Sequence, residues 1–538
     1  MESAGEFDYV VVGAGTAGCV VAARLSESGR HRVAVLEAGG EDSSFWVRLP
    51  LGFGMMYDNP KYCWTYETEP EPELGGSRHR APRGRMLGGT SSTNGLAYLR
   101  GQHEDFDHWR DLGNVGWAYQ DVLPWFIKSE DNDRGPGPFH GKGGPLRVSS
   151  APHHEMADAF IESAIKAGYP RNDDFDGATQ EGFGVTQITT RNGRRSSAAT
   201  AFLHPARSRS NLSVLTHAMA RRVAFRDGRA IGVEISRGGR IELVRARKEV
   251  ILCGGSFNSP QLLQLSGIGP GLLLQERDIP VMVDLPGVGE NMQDHFAATM
   301  NFRCTKNITV NAMMGNPLRK ISQGLQYLLF RKGLLAGNAQ FGAGYLRTDP
   351  ALAVPDIHLK MNLWTRASRA GRGGMALDPF SSFGVSVYLL HPDSRGTVRI
   401  RSADSAVQPE IRFNLFRSER DRMTMVKGAR IARHILSLPP VSAYVAEEVV
   451  PGPDAQSDAD LIGFLRGQGR HNNHAVGTCK MGIDDRAVVD PRLRVKGVGG
   501  LRVADASVMP RIVAANTGAA VMMIGEKASA MILEDARG

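Results

Sequence analysis

The 538-residue sequence predicts an α/β protein with a βαβ unit at its N-terminal end and a second lobe built on an antiparallel sheet. Three observations carry that expectation. From Phe7 the chain reads Phe-Asp-Tyr-Val-Val-Val-Gly, an apolar strand-like run, then Gly13-x-Gly15-x-x-Gly18, then Ala22, Ala23 and Leu25 at helical spacing. A second apolar run, Val33 to Leu36, ends on Glu37, 19 residues after Gly18. Beyond residue 296 the texture changes to short alternating runs, such as Gly384-Val-Ser-Val-Tyr-Leu-Leu and Gly396-Thr-Val-Arg-Ile-Arg, which suit an antiparallel sheet.

The first unit carries chemistry. A glycine turn lets backbone approach a pyrophosphate, the helix that follows presents N–H groups and a favourable dipole, and an acid at the end of the second strand accepts from ribose hydroxyls. Strand, glycines, helix, second strand and acid occur here in that order, so the segment reads as a dinucleotide site, with NAD and FAD both open at this point. A third strand-like run, Glu249 to Gly255, precedes a segment whose spacing predicts a helix starting near Ser259-Pro260 and stopping at Gly267. Glycine and proline cluster at 135–145, 266–271 and 367–374, which predicts loops or crossings between lobes.

Composition closes off other classes. Gly 63 and Pro 28 show no period, which excludes a collagen-like chain, and 42% hydrophobic residues exclude a disordered one. No apolar stretch reaches the ~18 uncharged residues of a spanning helix. Glu2, Glu6 and Asp8 lead directly into the first apolar run, so no secretory leader is expected and the cytoplasm is the expected address. Cys19, Cys63, Cys253, Cys304 and Cys479 are odd in number and widely spaced, which predicts buried thiols rather than disulfides or a zinc site. Lys and Arg exceed Asp and Glu by 64 to 56, a net +8 spread along the chain. That balance suits solubility, or contact with anionic lipid, better than nucleic-acid binding.

Four separated segments resemble the glucose-methanol-choline (GMC) oxidoreductase family. They are the N-terminal unit; Pro82-Arg-Gly-Arg-Met-Leu-Gly-Gly-Thr-Ser-Ser-Thr-Asn-Gly95; Gly255 to Gly269 followed by Leu285 to His295; and His474-Ala-Val-Gly-Thr-Cys-Lys-Met-Gly482 with Gly500 to Pro510 and Asn516-Thr517. The resemblance implies a doubly wound, Rossmann-like FAD-binding domain and a substrate domain whose antiparallel sheet is backed by helices. It divides the chain into 1–295, mainly FAD-binding, 296–465, mainly substrate-binding, and 466–538, which returns to the FAD domain with the catalytic residues. It further implies non-covalent FAD, because Thr93 stands where some members attach the flavin through histidine. Gly13, Gly15, Thr16, Ala17 and Gly18 then meet the pyrophosphate, Glu37 the ribose, and Gly89, Thr90, Asn94, Gly95 and Ala97 the diphosphate and flavin. Val223 meets the adenine, and Asp505, Ala506 and Thr517 wrap the cofactor from the C-terminal segment.

Oxidising an alcohol requires its hydroxyl proton to leave with the hydride, and histidine is the side chain best matched to that task. His474 stands where the family carries its active-site histidine, and Asn516 where it places histidine or asparagine; an amide there bonds the substrate oxygen, though Asn also suits a helix cap. The expected reaction converts a small primary alcohol to an aldehyde, with oxygen or a quinone as acceptor, no metal, and an oligomer allowed. A choline dehydrogenase and a flavin-fold lyase of the hydroxynitrile type are the alternatives. No carboxylate suggests itself as partner for a trimethylammonium group. His471, three residues before His474, reads as a loop histidine or a neighbour of the substrate. Asn473, Ala475, Gly518 and Ala520 depart from the family's usual residues and leave the pocket's shape open.

Overall fold

A computed structural model describes residues 2–366 and 376–537; the glycine-rich loop expected at 367–374 lies outside the described residues. The first lobe is a seven-stranded sheet. Strands Leu212–Leu215, Val33–Leu36, Glu2–Val12 and Arg240–Leu252 lie side by side and parallel. Val10, Val11, Val33, Val35, Val250 and Ile251 are fully buried, as strands covered on both faces must be. Strand Arg240–Leu252 splits its far edge. Its first half pairs antiparallel with Arg229–Arg237, which continues to Met219–Arg226, and its last residues pair in parallel with Leu501–Val503. The C-terminal segment thus returns to the sheet through three residues.

Helix Thr16–Leu25 follows the glycine turn, and the C-terminal helix Gly518–Asp535 packs along it. The two are tied by Arg24 and Glu526, 2.7 Å apart with Glu526 fully buried.

The second lobe is an antiparallel sheet in the order Val445–Val450, Phe296–Cys304, Ser382–Leu389, Ile357–Asn362, Gly342–Leu346, Gly182–Val185, with Arg470–His471 also on Phe296–Cys304. The alternation read at 384–390 is real, but it separates apolar from polar within a buried strand, since every residue of Ser382–Leu389 is buried. Val385, Val387, Leu359, Met361 and Met300 join the apolar core, beside helices Glu155–Lys166 and Glu419–Ser437. Ser386, Tyr388, Lys360, Asn362 and Thr299 point the other way, into the cavity between the lobes. The run at Gly396 forms a separate two-stranded ladder, Thr397–Arg399 with Glu410–Arg412. Strand Gly182–Val185 comes from before residue 295, so the substrate lobe takes a segment from the N-terminal half.

The helix expected to begin near Ser259-Pro260 begins instead at Gly255 and runs to Leu265, with Pro260 inside it. Proline has no N–H to give to the carbonyl four residues back. That carbonyl, of Ser256, accepts from the Thr478 hydroxyl at 2.8 Å, so the defect becomes a tie between the helix and the segment that carries His474. All five cysteines are free and buried.

Candidate active site

A cavity of ≈ 750 Å³ runs between the lobes, lined at one end by Gly13, Gly15, Thr16, Ala17 and Glu37 and at the other by Lys360, Tyr388, His474 and Asn516. Gly89, Thr90, Asn94, Gly95, Ala97, Asp505, Ala506 and Thr517 line its middle. Two of the residues implied by the resemblance do not line it. Gly18 lies behind the turn: a Cβ there would overlap the Gly13 carbonyl oxygen, so glycine is required by helix–strand packing rather than by a ligand. Val223 gives its N–H to Ser266 Oγ at 2.8 Å, and Ala218, Met219 and Ala220 line the cavity near it instead.

The residues present fit FAD. Gly15 is the N-cap of Thr16–Leu25 and no side chain caps that helix, which leaves first-turn N–H groups beside the cavity for an anion. A Cβ on Gly89 would stand 2.7 Å from Gly15 Cα, so the two loops meet without side chains and leave room for a ligand along them. Glu37 is buried, and its carboxylate accepts from Ala14 N at 3.0 Å and Gly39 N at 2.8 Å, which fixes the turn; burial raises its pKa to about 7. Asp505 accepts from Gly255 N, Ser259 Oγ, Ser507 N and Ser507 Oγ at 2.6–2.8 Å and so clamps the helix at 255 to the C-terminal strand. Asn94 Oδ1 accepts from Arg195 Nη1 at 2.8 Å, which sets the loop beside the cavity. Thr93 is buried with its hydroxyl 3.4 Å from the Thr90 carbonyl.

At the junction of the lobes the hydrogen bonds fix a tautomer. His295, buried on Phe296's strand edge, places Nε2 3.1 Å from the Val513 carbonyl, which only an N–H satisfies. Burial lowers the His295 pKa to about 4, so the ring is neutral and its Nδ1 is an acceptor. His474 Nδ1, 2.9 Å away, must therefore carry the proton and donate. Asn472 Nδ2 stands 3.3 Å from the same Nδ1, a contact that is no hydrogen bond once that nitrogen carries the proton and gives it to His295. The lone pair of His474 is left on Nε2, 2.8 Å from Asn516 Nδ2 and facing the cavity. Burial first, and the neighbouring His295 second, push the His474 pKa well below the ordinary histidine value, against the opposing charge of Asp294. Asp294 holds the His474 backbone, accepting from its N–H with both oxygens at 3.0 Å.

Asn516 is not the cap of the last helix: that position is Thr517, one residue on. His471 stacks on Phe413 at 4.5 Å, lies 3.0 Å from the Arg80 carbonyl and accepts from Asn473 N at 3.2 Å. Asn473 occupies the left-handed region, φ 61°, which asparagine tolerates far better than an aromatic residue. The sequence reading gave no role to Asp294, His295, Asn472 or Lys360. The only sequence signal for the first two was their place at the end of the Leu285–His295 segment.

A doubly wound nucleotide lobe, an antiparallel lobe and an uncharged imidazole between them define an FAD-dependent oxidoreductase acting on CH–OH donors. The models of the GMC oxidoreductase N-terminal and C-terminal domains match residues 7–297 and 392–525. The chain belongs to the GMC oxidoreductase family. It is 42% identical over 529 residues, 98% of this chain and 95% of the relative, to oxygen-dependent choline dehydrogenase of Rhizobium meliloti (strain 1021). The corresponding protein of Pseudomonas putida (strain KT2440) is 41% identical over 535 residues, 97% of this chain and 93% of the relative. Among solved structures it resembles pyridoxine 4-oxidase from Mesorbium loti, with TM-score 0.88, 30% identity and 97% and 98% of the two chains covered. It also resembles an R554A variant of formate oxidase from Aspergillus oryzae RIB40, with TM-score 0.91, 26% identity and 100% of both chains covered. No helix among the described residues is long and apolar enough to cross a membrane.

Proposed function

We propose that His474 Nε2 is the base and Asn516 Nδ2 the oxygen-holding donor in the oxidation of a primary alcohol to an aldehyde. The observation that carries this is the chain of hydrogen bonds from the Val513 carbonyl through His295 to His474, which leaves an unprotonated Nε2 at the cavity. A base whose pKa lies below the ordinary value is ready without prior deprotonation at neutral pH. The carbinol hydroxyl takes the place of the Asn516 N–H at that lone pair and gives it its proton, the C–H electron pair leaves with its hydrogen as hydride, and the C–O bond becomes a carbonyl. FAD, when bound, supplies the acceptor for the hydride. The Asn516 N–H groups stabilise negative charge growing on the oxygen without titrating, and His295 and Asp294 hold the imidazole in position. The glycine turns at 13–17 and 89 and the Glu37 carboxylate would hold the cofactor, with Asp505 fixing the backbone around it. The same reading takes residues 1–295 and 466–538 as mainly the cofactor lobe and 296–465 as mainly the substrate lobe.

The test is an anaerobic panel of primary alcohols mixed with the purified yellow protein. Loss of the flavin's visible absorbance is expected with at least one alcohol, and admission of air then assigns the acceptor. Cleavage of a cyanohydrin with the flavin still oxidised would instead support the lyase reading. Choline, the substrate in the names of the relatives, finds no free carboxylate in the lining, while Tyr57, Trp64, Trp364 and Tyr388 present aromatic faces that suit a quaternary ammonium. Of the lining carboxylates, Asp58 pairs with Arg80 at 2.6 Å, and Glu37 and Asp505 are bound to backbone amides.

A further inference from the structure

Lys360 lies on the central strand Ile357–Asn362 of the substrate lobe, 4% exposed, and lines the cavity. Its polar neighbours on that face satisfy one another. Gln340 Nε2 donates to Asn362 Oδ1 at 2.8 Å, Asn362 Nδ2 donates to Ser386 Oγ at 2.7 Å, and Ser386 Oγ meets Thr299 Oγ1 at 2.7 Å. None of them is bonded to Lys360. Among the described residues no carboxylate pairs with it, and its Nζ lies over the Tyr388 ring, 5.2 Å from the centroid. Arg83, half-buried, also lines the cavity; its Nη1 donates to the Asn473 carbonyl at 3.0 Å, and its Nη2 has no partner. A buried cation without a counter-ion is costly unless a ligand brings the anion.

We propose that Lys360 recognises an anionic group on the substrate, so that the alcohol oxidised here is one that also carries a carboxylate. The proposal rests on the alcohol-oxidising reading above and separates this chain from relatives whose named substrate is a cation. The test compares 4-(hydroxymethyl)benzoate, its methyl ester and 4-(hydroxymethyl)benzyltrimethylammonium as reductants of the FAD-loaded protein without oxygen. It also titrates benzoate, which cannot be oxidised, against the flavin's visible spectrum. The carboxylate is expected to outperform the ester by at least about tenfold in reduction rate over Kd. In Lys360→Met that ratio should collapse and benzoate should bind about tenfold more weakly, whereas Lys360→Arg should keep both preferences; FAD content and melting confirm that each variant folds. A carboxylate no better than the ester, or a Lys360→Met variant that keeps the ratio and the benzoate affinity, overturns the proposal. If neither these three nor any other alcohol of the primary-alcohol panel reduces the flavin, the alcohol-oxidising reading fails, and benzoate binding still decides Lys360.

A different observation carries a second inference. Helix Pro317–Phe330 docks through Tyr327, its single buried residue, while Leu318, Ile321, Leu325, Leu328 and Leu329 form a stripe 52–79% exposed. A surface helix ordinarily buries such a stripe. No acidic residue occurs between Asp294 and Asp349, and among the described residues no carboxylate pairs with Arg319, Lys320, Arg331 or Lys332 around this helix. Phe45, Trp46 and Met55 are exposed nearby, next to Leu49 of the apolar cluster that seats Tyr327. A second copy meeting this face with its own would set these cations against their like.

We infer that this face lies on an anionic lipid surface, apolar stripe inward and cations at the headgroups. Co-sedimentation with vesicles of phosphatidylcholine and phosphatidylglycerol should capture the holoenzyme, and pure phosphatidylcholine vesicles should capture at least about tenfold less. The triple variant Ile321→Gln, Leu325→Gln, Leu328→Gln should lose capture while keeping its FAD. Equal capture by neutral vesicles, capture unaffected by the triple variant, or a wild-type dimer that the variant converts to monomer without any vesicle binding overturns the inference.

Discussion

The two walls of the cleft are built by different means. On the cofactor wall the lining is largely backbone: Gly13, Gly15 and Gly89 present no side chain, and the charged groups, Glu37 and Asp505, are themselves anchored by amides and hydroxyls of the protein. On the substrate wall the lining is individual side chains, Lys360, Tyr388, His474 and Asn516, each delivered by a different segment. The first wall should therefore fail as a unit when one atom is added, and the second should lose single functions while the fold and the cofactor remain.

The largest effect is expected in the packing directly behind the first wall. Gly18→Val places carbon where the Gly13 carbonyl oxygen sits, so the turn must open. Overpacking costs about 1–3 kcal/mol or more, and a protein with substoichiometric FAD and a lower Tm is expected. A variant that retains full FAD and the wild-type Tm would show that the turn is looser than its packing indicates. On the second wall, Asn516→Ala should slow flavin reduction by about 10²-fold, the usual size for loss of one donor to a developing oxyanion, with FAD content unchanged. Loss of the flavin from that variant would merge the two walls and break the distinction.

The difference in construction also decides what the sequence reveals. A wall made from contiguous backbone is written in contiguous residues, so Gly13 to Glu37 can be read in order. A wall made from side chains depends on strand pairing. Lys360 meets Ser386 only because Ile357–Asn362 pairs with Ser382–Leu389 in one register, and the alternating pattern there says strand without saying which face is wet. His295 illustrates the same limit: its value lies in reaching His474, 179 residues away. The helix begins at Gly255 rather than near Pro260 for a related reason, since the partner that compensates Pro260, Thr478, is 222 residues from the carbonyl it satisfies.

That tie between the walls gives a smaller prediction. Thr478→Val keeps the shape but leaves the Ser256 carbonyl without its donor, at a cost of about 1–3 kcal/mol in stability measured by denaturant unfolding. A cost near zero would mean that the contact carries no load between helix and loop. The pH dependence of stability is smaller per step and tests the electrostatics of the junction. His295 and His474 both have pKa values below their ordinary one in the folded protein, so the unfolded chain binds more protons in mild acid. The His295 contribution is present above about pH 6.5 and is lost as pH falls toward about 4, by at most about 1.4 kcal/mol per pH unit, and the His474 contribution is lost in the same direction. Replacing His295 with Asn should flatten that slope. An unchanged slope would place the acid sensitivity elsewhere.

The account turns on an unprotonated Nε2 of His474 at the meeting of the walls. The direct measurement is the anaerobic rate of flavin reduction by a saturating alcohol from pH 5 to 9, for the wild type and for His474→Ala. The wild-type rate should be level above about pH 6.5, and the variant should be slower by at least about 10²-fold with its flavin still bound. A variant that reduces its flavin at nearly the wild-type rate, with the same pH profile, would contradict it.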